Sequence, residues 1–237
     1  MGLVGLWSLG AVADDKPKYG KGAVPLSQSH EFFSRAKAPD FWALAPYYLP
    51  QRDERSCSLA SLTMLVNAAR RGERLGNDDR LVTQASLLSA VGSALWKKEL
   101  APGGEGVTLD ELGELTRRAL AVHHFAQAKV EVVHVPDATP TGLQQWRLLL
   151  VENERSARDF VLVNFAQAAY TGDGDGHIAP IGAYDAKLGR VLILDPDRDW
   201  YEPYWVPVKV SLEGMATIDP VSKLPRGYVR VCVMEPC

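Results

Sequence analysis

The stretch Gln51-Arg52-Asp53-Glu54-Arg55-Ser56-Cys57-Ser58-Leu59-Ala60-Ser61-Leu62 decides the reading of this chain. It sets a cysteine at the mouth of an expected helix, with a glutamine six residues upstream. From Cys57 onward Leu59, Leu62, Val66 and Ala69 recur on one helical face, while Arg70, Arg71 and Arg74 crowd the far end, where cations suit the negative pole of the helix dipole. At the opposite, positive pole a thiolate is favoured over a thiol, and the thiolate is the form that attacks a carbonyl carbon. The side-chain amide of Gln51 is the kind of donor that a developing oxyanion needs near the sulfur. A lone cysteine on an apolar helix face is more often a small buried hydrophobe, so the segment needs partners from elsewhere in the chain.

A cysteine nucleophile requires a base and a group that orients the base. The five histidines are His30, His123, His124, His134 and His177. Only His177 follows a Gly-rich turn, 171–176, and opens a β-rich run. The next such run ends in Asp195, so two neighbouring antiparallel strands would set an imidazole beside a carboxylate and fix its tautomer. Taken singly, Asp195 before Pro196 is a turn former and His177 a loop histidine. The run Gly172-Asp173-Gly174-Asp175-Gly176 leads into a strand rather than a helix and lacks the later acidic ligand of a calcium loop. It therefore reads as room for His177, not as a phosphate cradle or an EF-hand.

At 237 residues and 46% hydrophobic content the chain can bury one substantial core, expected as a single domain over 14–237. A net charge of −3 with both signs interspersed excludes the electrostatic footprint of a nucleic-acid binder. The three cysteines, Cys57, Cys232 and Cys237, are too few for a disulfide scaffold and lack structural-zinc spacing. A pairing of Cys232 with Cys237 in an oxidising compartment stays open. Met1 to Ala13 is apolar, too short to span a bilayer, and ends in Ala-Val-Ala, although it carries no Lys or Arg. It reads as a secretory signal cut after Ala13, which implies a periplasmic or secreted protein; a frayed N-terminal strand and a cytoplasmic protein are the alternative.

The periodicity predicts helices from about Thr83 to Leu95, from a Thr108–Glu111 capping box through Leu112, Leu115 and Ala119, and from Thr141 to Val151. It predicts strands over Val130–Val135, Asp159–Phe165, Ile178–Tyr184, Arg190–Asp195 and Tyr228–Met234. A helical first half that carries the cysteine, followed by a sheet-forming second half, is an α+β order.

The order Gln51, Cys57, His177, Asp195 comes with Cys-x-Leu-Ala-Ser-Leu, Gly-His-x-x-Pro-Ile-Gly and Leu-Ile-Leu-Asp around its last three members. It resembles the catalytic domain of phytochelatin synthases, a family of the papain-like cysteine peptidase superfamily. Arg198, Tyr201, Pro203, Trp205 and Val206 are similar to the family's Arg-x-x-Tyr-x-Pro-x-Trp-Val run. Met215 to Asp219 and Arg226-Gly227-Tyr228 are similar to its Met-x-x-Ile-Asp and Arg-Gly-Phe segments. The resemblance covers about Pro46 to Val233, strongest at its two ends.

This likeness implies a papain-like fold, a helical lobe carrying the nucleophile packed on an antiparallel sheet lobe. It also implies Cys57 as nucleophile, His177 as general base and then acid, Asp195 as orienter and Gln51 as oxyanion donor. Asp219 and Arg226 would grip the substrate, with Gly176, Arg198 and Tyr201 as further substrate-side residues. A γ-glutamyl group offers an α-ammonium to Asp219 and an α-carboxylate to the fork of Arg226; a mutual surface salt bridge is the plainer reading of that pair. The implied reaction is attack on the Cys-Gly bond of glutathione, release of glycine, and transfer of the γ-glutamylcysteinyl group from a thioester to water or to a second glutathione. The second route makes phytochelatin, in metal detoxification.

No built-in cofactor or metal ligand set is expected; heavy-metal ions (Cd, Zn, Cu) would arrive as glutathione thiolate complexes. Glutathione is the expected partner, with no nucleic acid, no stable membrane span, and a homodimer left open. The chain departs from the family at Ser58, where Gly is usual, and at Ser56, where an aromatic faces Arg198. It also ends soon after the catalytic domain, without the Cys-rich extension of plant members. These departures favour hydrolysis or weak transpeptidation over efficient polymer synthesis. The rivals are a papain-like peptidase acting on ordinary peptides, and a non-catalytic thiol-peptide or metal-binding protein.

Overall fold

The structure is a computed structural model that describes residues 18–20, 22–73, 76–172, 174–235 and 237. The segment expected as a leader, Met1 to Ala13, together with Arg74 and Asp173, lies outside the described residues. In chain order the elements are β1 (Val24–Pro25), α1 (Pro39–Leu44), α2 (Cys57–Arg70), α3 (Gln84–Val91), α4 (Ala94–Glu99) and α5 (Leu109–Val122). There follow β2 (Lys129–His134), α6 (Pro140–Asn153), β3 (Asp159–Ala166), α7 (Gln167–Thr171), β4 (Gly176–Asp185), β5 (Arg190–Ile193), β6 (Tyr204–Pro207), α8 (Val208–Met215) and β7 (Gly227–Cys232).

The helical first half and strand-rich second half are as expected, and Thr108 and Glu111 do form a reciprocal capping box at the start of α5. The stretch expected as one helix over 83–95 is two. Gly92, at φ +63°, ends α3 in the left-handed conformation, and Ser93 accepts from Trp96 N to start α4. The seven strands pair antiparallel in the order β1-β6-β5-β4-β3-β7-β2, so the last strand in sequence slots between β3 and β2.

Alternation along β3 shows that both faces of this sheet are covered. Phe160 and Leu162 join the larger core with α2 and α5, whereas Val161, Val163 and Phe165 face a second core with Trp146 and Leu150 of α6 and Leu212 and Met215 of α8. The sheet is therefore a middle layer, with the nucleophile-bearing helical part packed on one face as expected. α2 sits deep: Cys57 through Ala69 are all buried, and its polar members are satisfied inside. Ser61 Oγ donates to Ile178 O at 3.1 Å and so clamps the nucleophile helix to β4; the Asn67 amide donates to Val82 O at 2.8 Å.

Candidate active site

Cys57 is the first residue of α2 and is 7% exposed. The N-cap residue, Ser56, does not turn its hydroxyl toward the helix. Its Oγ accepts from the backbone N–H groups of Arg52 at 2.9 Å and Asp53 at 3.0 Å and donates to Asp53 O at 3.0 Å. A buried serine thus staples the turn before the nucleophile and leaves the positive pole of α2 without a side-chain cap beside the sulfur. Ser58 Oγ accepts from the indole N–H of Trp96 at 3.0 Å in the core. Both departures from the family pattern therefore have local structural roles.

His177 is the second residue of β4, opposite Phe165 of β3, whose ring meets the imidazole edge-on at 5.6 Å. Its Nε2 lies 2.7 Å from Asp195 Oδ1. An ionised carboxylate only accepts, so Nε2 carries the proton and Nδ1 is left for the thiol. Cys57 is indeed a hydrogen-bonding neighbour of the imidazole. Asp195 was expected at the end of a strand. β5 stops at Ile193, and a register shift between Ile181 and Ala183 of β4 lets the chain leave the ladder, so that Asp195 lies just past the strand.

Asp195 is fully buried and accepts from four donors: His177, the Asp197 N–H at 2.9 Å, the Tyr204 hydroxyl at 2.7 Å and the Gln167 amide at 3.4 Å. Burial alone raises its affinity for a proton, but the His177 charge and these bonds win, holding the carboxyl below its ordinary range. For His177 burial opposes protonation; the charge and hydrogen bond of Asp195, then Cys57, outweigh it and push the imidazole well above its ordinary range. The pair is therefore set up to hold an imidazolium against an anion.

Gln51 is tied by its backbone N–H to Pro196 O at 2.7 Å, and Tyr48 donates to Asp195 O at 2.6 Å, so the segments before the nucleophile and after the aspartate are laced together. The Gln51 Oε1 is buried without a partner.

A cleft of about 710 Å³ opens at Cys57. One wall carries Arg55, whose Nε donates to Gly104 O at 3.0 Å; the other carries Asn164, Asp175, Gly176, Asp219 and Arg226. Arg226 donates to Ile218 O at 2.9 Å, and its guanidinium presses on Gly176 so closely that a Cβ there would lie 2.6 Å from Nη2. Asp219 Oδ1 accepts from Val221 N at 2.7 Å and organises the lip loop. Asp219 and Arg226 are buried, at 7% and 6% exposure, and among the described residues no ion pair joins them. The surface salt bridge weighed above is not what forms. Burial pulls the Arg226 guanidinium below its ordinary range, against the nearby charges of Asp219 and Asp175.

Arg198 and Tyr201 do not line this cleft. Arg198 stacks 4.4 Å from the ring centre of Tyr48, and Tyr201 packs edge-on against Tyr19 and Tyr204. Tyr48 thus supplies an aromatic platform for Arg198 from a position other than 56. Residues that sequence reasoning missed are Tyr204 and Gln167, and Asn164, whose Oδ1 is buried without a partner in the cleft wall. A polar residue in the otherwise apolar run Val161 to Phe165 was the available signal for Asn164. Among the described residues no group of three or more His, Cys, Asp or Glu side chains converges to hold a metal ion.

A sequence model of phytochelatin synthase matches residues 23–228. The chain is 25% identical over 210 residues to glutathione gamma-glutamylcysteinyltransferase 1 of Arabidopsis thaliana, covering 85% of this chain and 39% of that protein. It is 28% identical over 202 residues to glutathione gamma-glutamylcysteinyltransferase 3 of Lotus japonicus, 82% of this chain and 38% of the relative. To glutathione gamma-glutamylcysteinyltransferase of Schizosaccharomyces pombe it is 24% identical over 225 residues, 90% and 49%. The chain spans less than half the length of these curated relatives. With the α+β fold and a bonded His177–Asp195 pair next to the cysteine that lines the cleft, the match over most of its length makes this chain a member of the phytochelatin synthase family.

Proposed function

We propose that the chain cleaves the Cys-Gly amide of glutathione by acyl transfer through Cys57. The observation that carries this is the cleft wall: Asp219 and Arg226 are buried beside the nucleophile and not paired with each other, and Asn164 Oδ1 lacks a partner. A buried cation and anion left apart are complementary to a ligand end that carries both charges, as the α-ammonium and α-carboxylate of a γ-glutamyl group do. An ordinary internal peptide offers no such pair.

In this reading His177 takes the thiol proton and Cys57 Sγ attacks the cysteinyl carbonyl. The oxyanion meets the uncapped N–H groups at the start of α2 and the Gln51 amide. The imidazolium, held by Asp195, then protonates the departing glycine amine, leaving a γ-glutamylcysteinyl thioester. Water or the amine of a second glutathione gives a proton to His177 and attacks the thioester, and Sγ leaves. Cadmium, zinc or copper ions enter only as thiolate complexes of the substrate. Because Tyr48 restores an aromatic partner to Arg198, the loss at Ser56 is a weaker reason to expect hydrolysis alone than the sequence suggests.

We also propose an oxidising compartment for this chain, a reading supported by the apolar run Met1 to Ala13 and by the disulfide between Cys232 and Cys237. Cell fractionation checks it, and recovery of the full-length chain with its leader in the cytoplasm would sink it.

The decisive experiment is a single turnover with glutathione followed by intact mass. A γ-glutamylcysteinyl adduct on Cys57, absent in Cys57→Ser, is expected together with free glycine. Glycine release by Cys57→Ser would end the proposal. Glutathione cleavage unchanged by Asp219→Ala would favour the general peptidase.

A further inference from the structure

The other two cysteines form a disulfide at the end of β7 far from Arg226. Cys232, the last residue of β7, is joined to Cys237 by a disulfide. The register sets Lys129 of β2 directly across from Cys232, Glu131 across from Arg230, and Asp159 of β3 on the other side of Cys232. Cross-strand partners, and residues two apart on a strand, share a face, so these charges surround the sulfur bridge together. Lys129, Glu131, Arg230, Cys232, Glu235 and Cys237 line a cavity of about 300 Å³, at the small end of the range for ligand sites. Cys232 is buried, at 9% exposure, whereas Cys237 is exposed, with its Sγ against Met234 O and Arg158 O. The cations are only partly committed. Lys129 pairs with Glu235 through mostly exposed side chains, and Arg230 lies 3.1 Å from Asp159 and 3.6 Å from Glu152.

We infer that this bridge is an exchange site for small peptide thiols of the glutathione class, opened by attack at Cys237. The thiolate of the incoming peptide forms a bond to the accessible Cys237 Sγ, the Cys232–Cys237 bond breaks, and its electron pair leaves on Cys232 Sγ, which takes a proton from water. No net oxidant is needed. A second thiol then attacks the peptide's sulfur, releasing Cys237 as thiolate and a peptide disulfide, so that two electrons pass from two thiols to the protein pair. Lys129 and Arg230, the cations of the cavity, attract the peptide's carboxylates.

The test uses full-length Cys57→Ser, which carries no other thiol; its readout is therefore the same whether or not Cys57 cleaves glutathione. Protein oxidised in air is exposed to mixtures of glutathione and its disulfide over a range of ratios, quenched in acid, and read by intact and peptide mass. The expected result is a glutathione adduct on Cys237 at intermediate ratios and two free thiols at reducing ones. A bridge that stays closed in millimolar glutathione, or an adduct on Cys232 instead, overturns the proposal. In a second arm, Lys129→Gln is expected to slow adduct formation by glutathione about threefold but not by uncharged 2-mercaptoethanol. Equal rates with glutathione, or equal slowing with both thiols, overturns the role given to Lys129.

Discussion

Asp195 and Asp40 are both fully buried, yet their hold on a proton is shifted in opposite directions. Asp195 accepts from four donors and sits against an imidazole, and it is held below the ordinary carboxylate range. Among the described residues Asp40 of α1 accepts from Asn153 alone and leaves Oδ1 without a partner, and it is pushed well up, by burial first and then by Glu154 and Asp159. Glu154 beside it accepts from Tyr184 N at 2.8 Å, has a bare Oε1, and is raised by burial to about 7. Equal burial therefore does not set the direction of the shift. Donor number and a cationic neighbour do, and only the well-supplied carboxylate can hold an imidazolium over a thiolate.

The sharpest break of that contrast is Asp195→Asn, which keeps shape and removes charge. It is expected to lower glycine release about 10³-fold in a folded chain; a loss under tenfold would put Asp195 with Asp40 as a merely structural acid. Next, Gly176→Ala drives a methyl into the Arg226 guanidinium. Steady-state kinetics should show KM for glutathione rising about tenfold with kcat little changed, and an unchanged KM would detach Arg226 from the substrate. Tyr204→Phe takes one donor from Asp195 and is expected to cost about fivefold in kcat/KM. Its acid limb should move to higher pH, because Asp195 then takes up a proton more readily; a lowered rate with an unmoved limb would make Tyr204 a packing residue only.

The smallest effect tests the other acid. Glu154 binds its proton at about 7 in the folded chain against 4.5 ordinarily, so the folded state holds more protons between those values and stability falls as pH rises through that window. Glu154→Gln is expected to flatten this dependence and to add about 1 kcal/mol at pH 8 in urea denaturation, less than the full shift because the group is partly exposed. Unaltered pH dependence would break the comparison from its other side.

What was legible in the sequence was local. The apolar period after Cys57, the Thr108–Glu111 box and the β-rich runs on either side of His177 need no knowledge of distant chain. What was hidden was set by tertiary contact. Tyr204 and Gln167 reach Asp195 from β6 and α7, elements too short or too irregular to announce themselves by periodicity. Gly92 falls inside the stretch expected as one helix from Thr83 to Leu95, and its left-handed backbone and the Ser93 cap divide it into two. The substrate-side residues were named by family likeness alone. The structure gathers Gly176, Asp219 and Arg226 at the cleft but seats Arg198 on Tyr48 and Tyr201 among tyrosines, which no spacing rule foretells.

The press of Arg226 on Gly176 also reaches beyond this molecule. A lineage that keeps the arginine can place a side chain at 176 only by pushing the guanidinium aside, whereas one that loses it is released from that constraint. Positions 176 and 226 are thus expected to drift as a couple, so that a bulky residue at the first marks, in any distant sequence with the same Cys, His and Asp, a change of substrate.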